Sequence, residues 1–374
     1  MIQRVYGVVL FIIFYVLCSV SCQDKENVEI SKNSKYELKT LITFKLGEVK
    51  KNGEEVSLGD FIEGDQVFSV GRSSFLDLQV SNFSSEVSLR SRTPSEFSIY
   101  ARKRGEILQL NIFLKKGDLL FSVKKLQKNE EVVVYSPTMK SKVLGTQFKL
   151  IVKDDASTNI KVADGQVQVN QSSPALEAIS NSNAVSEDKR KTIANMLGEG
   201  KVVEVGKELT VTKSNLKETL KDPELIQLLD SPTLQNVNIP TETSQDANLQ
   251  KELADLEKKI QDTKVGEPTK VALEIKETNT SDIKKEADQI ISVADSSSRN
   301  KEDIKKTLDE SIKANTPVLL NTMSKVLGKN SETLVLKNGQ TITGIVYMIG
   351  SGYVVRTPNG DSKFTESQIS GVRF

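Results

Sequence analysis

Between Leu41 and Val169 apolar and polar residues alternate in short runs, as in Gln109-Leu110-Asn111-Ile112 and Gln166-Val167-Gln168-Val169. A period of two marks strands with one buried face, and the Asn52-Gly53 and Asp164-Gly165 pairs between such runs predict hairpin turns. Many short strands without intervening helices predict a mainly β N-terminal domain, a sandwich or roll. Its length, roughly 130 residues, is enough for one core.

Further along, the texture changes three times. Residues 171–200 are polar and Ser/Asn-rich and read as an insertion open to proteolysis. Lys201 to Val211 then reads as a closing strand pair. Beyond Lys213 the period lengthens to about 3.6, the α-helical repeat. Asp222-Pro223-Glu224 carries an N-cap followed by proline at the first helical position, and Pro232 and Pro240 bracket a loop. Leu249, Leu253, Leu256 and Ile260 then recur at coiled-coil-like spacing, as do Ile283, Ala287, Ile290 and Ala294, and again Ile304, Leu308 and Ile312. These short seams suit an α-helical middle segment that packs as a bundle, stands as a solvated stalk or pairs with a partner helix. From Ser331, strand-like runs separated by Asn338-Gly339, Gly350-Ser351-Gly352 and Asn359-Gly360 predict a small C-terminal β meander of four or five strands, similar to an SH3-like barrel. A β module this small is marginal alone and is expected to dock on the helical segment, a second copy or a partner.

The first residues follow another pattern. One cation, Arg4, precedes an uncharged apolar run, Gly7 to Leu17, that ends near the small residues Ser19 and Ser21. That is the layout of a secretory signal, and it is short of the roughly 20 residues of a membrane span. The chain's two cysteines, Cys18 and Cys22, lie at its end. With Val20 and Ser21 before it, Cys22 resembles the lipidated cysteine of a bacterial lipobox, although the nearest leucine, Leu17, stands two places further back than usual. Lipidation at Cys22 would make residues 1–21 a signal peptide and attach the mature chain to a membrane. An unmodified Cys22 after a plain signal, or an uncleaved anchor, are the alternatives. An exported chain sits where disulfides persist, and with no later cysteine its folded parts are held by packing alone. Gln23, Asp24 and Glu26 follow the cysteine; the outer membrane, with the chain facing the periplasm, is the expected location.

Composition narrows the chemistry. There are 51 basic and 50 acidic residues, a net charge of +1, and no histidine or tryptophan. Such a balance supplies no general field for nucleic acid. Without imidazole there is no Ser-His-Asp triad, no Cys-His pair and no His-ligated zinc. A non-catalytic protein without a metal or other cofactor is expected.

Three ordered motifs carry a family resemblance. Gly117, Phe121 and Val123 fit G-x-x-x-F-x-V; Val143, Gly145, Thr146 and Phe148 fit V-x-G-T-x-F; Val162, Gly165, Val167 and Val169 fit V-x-x-G-x-V-x-V. This succession resembles the FecR domain, and with the lipobox-like cysteine the chain looks like the FecR-domain lipoproteins of leptospires. The motif residues are expected to be structural. The resemblance implies an envelope-facing β domain, which in the best-known members senses an outer-membrane transporter and signals to a sigma factor through a cytoplasmic helical region. Only Met1 to Tyr6 precede the apolar run here, so direct transcriptional signalling is not expected. The expected layout is a signal (1–21), a tether (22–40), a FecR-like β domain (41–211), a helical region (212–330) and a β module (331–374). The function expected is that of a lipid-anchored envelope binding or scaffold protein with an unidentified protein partner. A sensor relaying to a separate membrane protein, or a secreted factor acting on host or matrix, are the other readings.

Overall fold

The computed structural model describes residues 34–92, 94–180, 186–197, 200–220, 273–293 and 300–373, with the single positions 226 and 258. The expected signal, Cys22, the expected helix start at Asp222-Pro223 and the seam residues Leu249, Leu253, Leu256 and Ile260 lie outside them. Among the described residues no helix is long and apolar enough to cross a membrane.

The N-terminal strands form two sheets that share one 17-residue strand, Ile107–Val123, and wrap around a common core as a barrel-like sandwich. In the first sheet the order is Glu54–Glu55, Val49–Lys51, Gln66–Val70, Ser95–Arg104, the first half of the shared strand, Glu130–Tyr135, Met139–Val143, Gln166–Gln171 and Lys201–Glu204. The second runs Phe61–Glu63, Lys39–Leu46, Phe75–Val80, Val87–Ser91, the second half of the shared strand, Gln147–Val152, Thr158–Asp164, Lys207–Val211 and Ile275–Glu277. These pairings are antiparallel except that of Ile107–Val123 with Glu130–Tyr135. Alternate residues of both sheets meet in one core, where Phe68 stacks on Phe97 and Phe121 on Phe148.

Of the two expected hairpin turns, Asn52-Gly53 is one. Both residues hold positive φ, 49° and 89°, and join paired strands. Asp164-Gly165 is not. Thr158–Asp164 pairs in the second sheet and Gln166–Gln171 in the first, so the chain turns a corner between sheets instead of folding back on itself. Lys201–Glu204 and Lys207–Val211 are split between the sheets in the same way at Gly206. An apolar/polar period shows which face of a strand is buried; it is silent on which sheet the strand joins.

The polar stretch 171–200 also differs from expectation, since it holds two helices, Pro174–Ser180 and Glu187–Leu197, with Ala175, Leu176 and Ile193 buried. Leu176 with Ile179, and Ile193 with Met196 and Leu197, do recur at helical spacing, but in pieces too short to stand out among serine, asparagine and charged residues.

Residues 273–293 and 300–327 form an arm across the outer face of the second sheet. Ile275–Glu277 adds a strand to its edge beside Lys207–Val211. The helix Ser281–Ala287 sets Ile283 and Ala287, with Ile290 beyond it, against Leu120 and Ala163. Helix Lys301–Ala314 starts where the Asn300 side chain accepts a 2.8 Å bond from the Asp303 backbone N–H, and Thr316–Leu327 ends at Gly328 in the left-handed conformation. Ile304, Leu308 and Ile312 are fully buried against Leu41, Phe44 and Phe75 of the sheet and Leu319 and Met323 of the next helix. The third seam therefore packs on a β surface.

The last residues make a five-stranded meander in the order Gly360–Thr365, Gly352–Thr357, Thr341–Ile349, Glu332–Leu336 and Ile369–Arg373. Leu334, Leu336, Val346 and Val355 fill its small core. Ile345 and Tyr347 face the other way, into the cluster around Ile304 and Met323. The module thus docks on the helical segment.

Candidate functional site

The motif residues come first, because they shape the surface around them. Gly117 lies where Ile107–Val123 passes from one sheet to the other, at φ +95°, with the position of a Cβ only 2.2 Å from the Ser95 hydroxyl. Phe121 and Phe148 are directly opposite each other on neighbouring strands, rings 4.5 Å apart and nearly parallel. Val143 stands between Val132 and Val167 across three strands of the first sheet. Gly145 and Gly165 are adjacent corners: a Cβ on Gly165 would be 2.4 Å from the Gly145 carbonyl oxygen. Thr146 locks them, donating its backbone N–H to the Val123 carbonyl (2.8 Å) and its hydroxyl to the Gln166 carbonyl (2.8 Å). The structure brings these side chains together as core and corner, while Cys22 lies outside the described residues.

Beside that corner, between the second sheet and the arm, opens a cleft of about 710 Å³. Its floor is a row of polar side chains on three neighbouring strands, Ser88, Ser122 and Gln147. One wall is the arm, through Ala287, Asp288, Ile290 and Ser292; the other is the corner ridge, through Lys124, Lys125, Gly145 and Asp164. Lys124 pairs with Glu86 at 2.6 Å, and Lys284 of the arm lies 3.9 Å from Asp164. The Gln147 side-chain amide donates to Asp288 at 2.7 Å.

Two buried polar groups hold this geometry. Glu130 gathers the loops on the rim: its carboxylate accepts from the backbone N–H groups of Ser84 (2.6 Å), Ser85 (3.2 Å) and Gln127 (3.3 Å). Burial alone would raise its pKa, but the Ser85 hydroxyl and these N–H donors outweigh that and hold the carboxyl below its ordinary range. The second group fastens the arm. Arg90 and Asp77, fully buried, form a two-pronged ion pair at 2.8 and 2.7 Å. The same guanidinium donates to the main-chain carbonyls of Glu286 (3.3 Å) and Gln289 (2.9 Å) and covers the Phe75 ring. Gln79 completes the fastening by donating to the Val293 carbonyl (2.9 Å) and accepting from the Val293 N–H (2.7 Å).

None of this fastening is visible in the sequence. Asp77, Gln79 and Arg90 fall on the polar beats of alternating strands and read as solvent-facing; only the arm, some two hundred residues later, covers them. A row of hydroxyls and amides with flanking charges binds by hydrogen bonds. Among the described residues no group of three or more metal-ligating side chains converges.

Residues 66–168 match the family model described as FecR protein. The chain contains a FecR domain. It takes in all three glycine corners of the motifs, Phe121, Phe148 and most of the cleft floor and ridge, whereas the strands before Gln66 and after Gln168 enlarge both sheets beyond it. No enzymatic family is indicated by the match. No curated protein matches the chain. Two crystal structures of a candidate anti-sigma factor from Parabacteroides distasonis, at 2.50 and 1.65 Å resolution, are similar to it at 14% identity with a TM-score of 0.27. The alignments cover 40% and 39% of this chain and 55% and 54% of the solved chains, so this chain spans about half their length.

Proposed function

We propose that this is a lipid-anchored, non-catalytic binding and scaffold protein of the bacterial envelope, held at the outer membrane and facing the periplasm. In this reading residues 1–21 are removed, Cys22 is acylated, 22–40 form a tether whose last part, the strand Ser34–Tyr36 and the start of Lys39–Leu46, already joins the sheets, the FecR-like unit 41–211 is the platform, and 212–330 and 331–374 are a helical region and β module mounted on it. One observation carries the binding role. The outer sheet face holds a stretch of the chain's own polypeptide by its main chain, through the Arg90 guanidinium and the Gln79 amide, the kind of contact a protein-binding surface makes. That the grip consists of a few hydrogen bonds on an arm also favours a second reading, a sensor in which partner binding displaces the arm and the change is relayed to a separate membrane protein.

Intact mass and detergent partitioning of the native protein beside a Cys22→Ala variant test the anchor. The native chain is expected to begin at Cys22, to carry acyl mass and to enter the detergent phase, with the variant left in water. A native chain that stays aqueous with an unmodified Cys22 would leave a freely diffusing binding protein in place of an anchored one.

A further inference from the structure

We propose that the end of the sandwich where the chain enters carries a basic rim that lies against an anionic phospholipid surface and orients the domain on the membrane. This rests on the lipid anchor proposed above. The rim is two neighbouring loops. One is the turn between Ser95–Arg104 and Ile107–Val123; the other, residues 124–129, joins Val123 to Glu130. The Leu108 backbone N–H donates to the Asn129 carbonyl (2.8 Å) and holds them side by side. Residues 102–107 and 124–129 carry six cations, Arg102, Lys103, Arg104, Lys124, Lys125 and Lys128, and one acid, Glu106. In a chain whose net charge is +1, that is a local concentration of one sign.

Several of these charges are already engaged. Glu86 pairs with Lys124, Glu131 on the neighbouring strand pairs with Lys142, and the Arg102 guanidinium lies over the Tyr100 ring. Lys125 lines the cleft that also holds Asp164 and Asp288. The charge left for a partner is therefore carried mainly by Lys103 and Lys128, both exposed and without an ion pair among the described residues. Apolar side chains stand among the cations: Ile107 at the hairpin is 37% exposed, and Leu144, just past Met139–Val143, is 47% exposed. Cations around exposed apolar side chains are the pattern of a surface that meets lipid headgroups. Placement selects the occupant. Ser34–Tyr36 pairs antiparallel with Ser95–Arg104, Ser34 opposite Lys103, so the polypeptide coming from Cys22 meets the sandwich at the tip of the basic hairpin. Eleven residues separate Cys22 from Ser34, and a chain of that length spans at most about 40 Å. An acyl chain on Cys22 would thus hold this end of the domain close to the leaflet, where each cation near an anionic surface favours contact about fivefold. The rim is also firmly set, since the Ser85 hydroxyl donates to the Lys125 carbonyl and Glu130 ties Ser84, Ser85 and Gln127 together.

The chain has no tryptophan, so Ile107→Trp places a single fluorescent reporter on the rim, and Ile349→Trp, at a 64% exposed position of the C-terminal module, is the control. Each full chain is purified in detergent from the cell that makes it and reconstituted with vesicles of brominated phosphatidylcholine, alone or mixed with phosphatidylglycerol. The protein is expected to float with both vesicles through its anchor. The reporter at position 107 should be quenched by the bromines only where phosphatidylglycerol is present, and high salt should relieve the quench. Lys103→Glu and Lys128→Glu should each lower the quenched fraction at least about fivefold without changing thermal stability. Flotation with both vesicles but no quench, or a quench equal in neutral vesicles or at position 349, would overturn the rim assignment and leave the anchor standing. Flotation with the anionic vesicles alone, lost in the lysine variants, would remove the anchor and leave the rim. Flotation with neither would remove both. A quench stripped by soluble polyglutamate at equal charge would overturn the lipid assignment in favour of an acidic protein partner.

Discussion

At the scale of single residues, the glycines of the motifs differ from ordinary turn glycines in what surrounds them. Gly53 has positive φ and nothing within 4 Å of a would-be Cβ, so Gly53→Ala carries only the left-handed backbone cost, about 1 kcal/mol. Gly165 adds a backbone oxygen at 2.4 Å, and Gly117 a hydroxyl at 2.2 Å and a carbonyl oxygen at 2.5 Å. Denaturant midpoints should therefore rank Gly53→Ala well above Gly165→Ala and Gly117→Ala, each of which is expected to lose more than about 2 kcal/mol. Phe148→Ala removes one ring of a stacked, fully buried pair and should lose about 3–5 kcal/mol in the same measurement. Glu130 gives a pH signature. Its carboxyl is depressed in the folded state, so its contribution is present above the unfolded carboxyl range and disappears as pH falls through the lower, folded value. Glu130→Gln should be less stable at neutral pH and show a shallower acid limb in a stability-versus-pH titration.

Among the elements, the arm is where reading by sequence stops. The strands were readable because half-buried β structure writes itself as alternation, and Gly117, Gly145, Gly165, Phe121 and Phe148 were readable through the family resemblance their motifs carry; the structure puts the glycines at crowded corners and the two rings in one stacked pair. The hop between sheets at Gly165 was not, because a corner and a hairpin ask for the same residues. Neither was the cleft, whose wall of Asp288 and Ile290 comes from residues more than a hundred positions away from Gln147. The ion pair under the arm makes a direct test of how tightly that distant segment is held. Arg90→Ala leaves Asp77 buried without its charge partner, a change that typically costs about 3–5 kcal/mol. Hydrogen exchange should report faster amides at Ile291 and Val293 in this variant, with the interior strands around Leu110 and Val132 keeping more of their protection.

For the molecule as a whole, one apolar cluster ties three parts of the chain into a unit. Leu41, Phe44 and Phe75 from the sandwich, Ile304, Leu308 and Ile312 from the helix, and Ile345 from the C-terminal meander share it. Calorimetry of the native protein should show the sandwich and the C-terminal module unfolding together, whereas Leu308→Asp, which places a charge in that cluster, should separate a low-temperature transition of the module from the main one. The cluster also sets an order of events. A chain made from its N-terminus has the strands bearing Phe75, Gln79 and Arg90 available long before the segment that covers them; Val293 lies 214 residues after Gln79. At synthesis rates of about 5–20 residues per second, an apolar sheet face with a charged pair at its centre waits uncovered for roughly ten to forty seconds. A chaperone that holds nascent or exported chains has its natural substrate in that interval, and the sandwich becomes safe from aggregation only when the last third of the protein arrives.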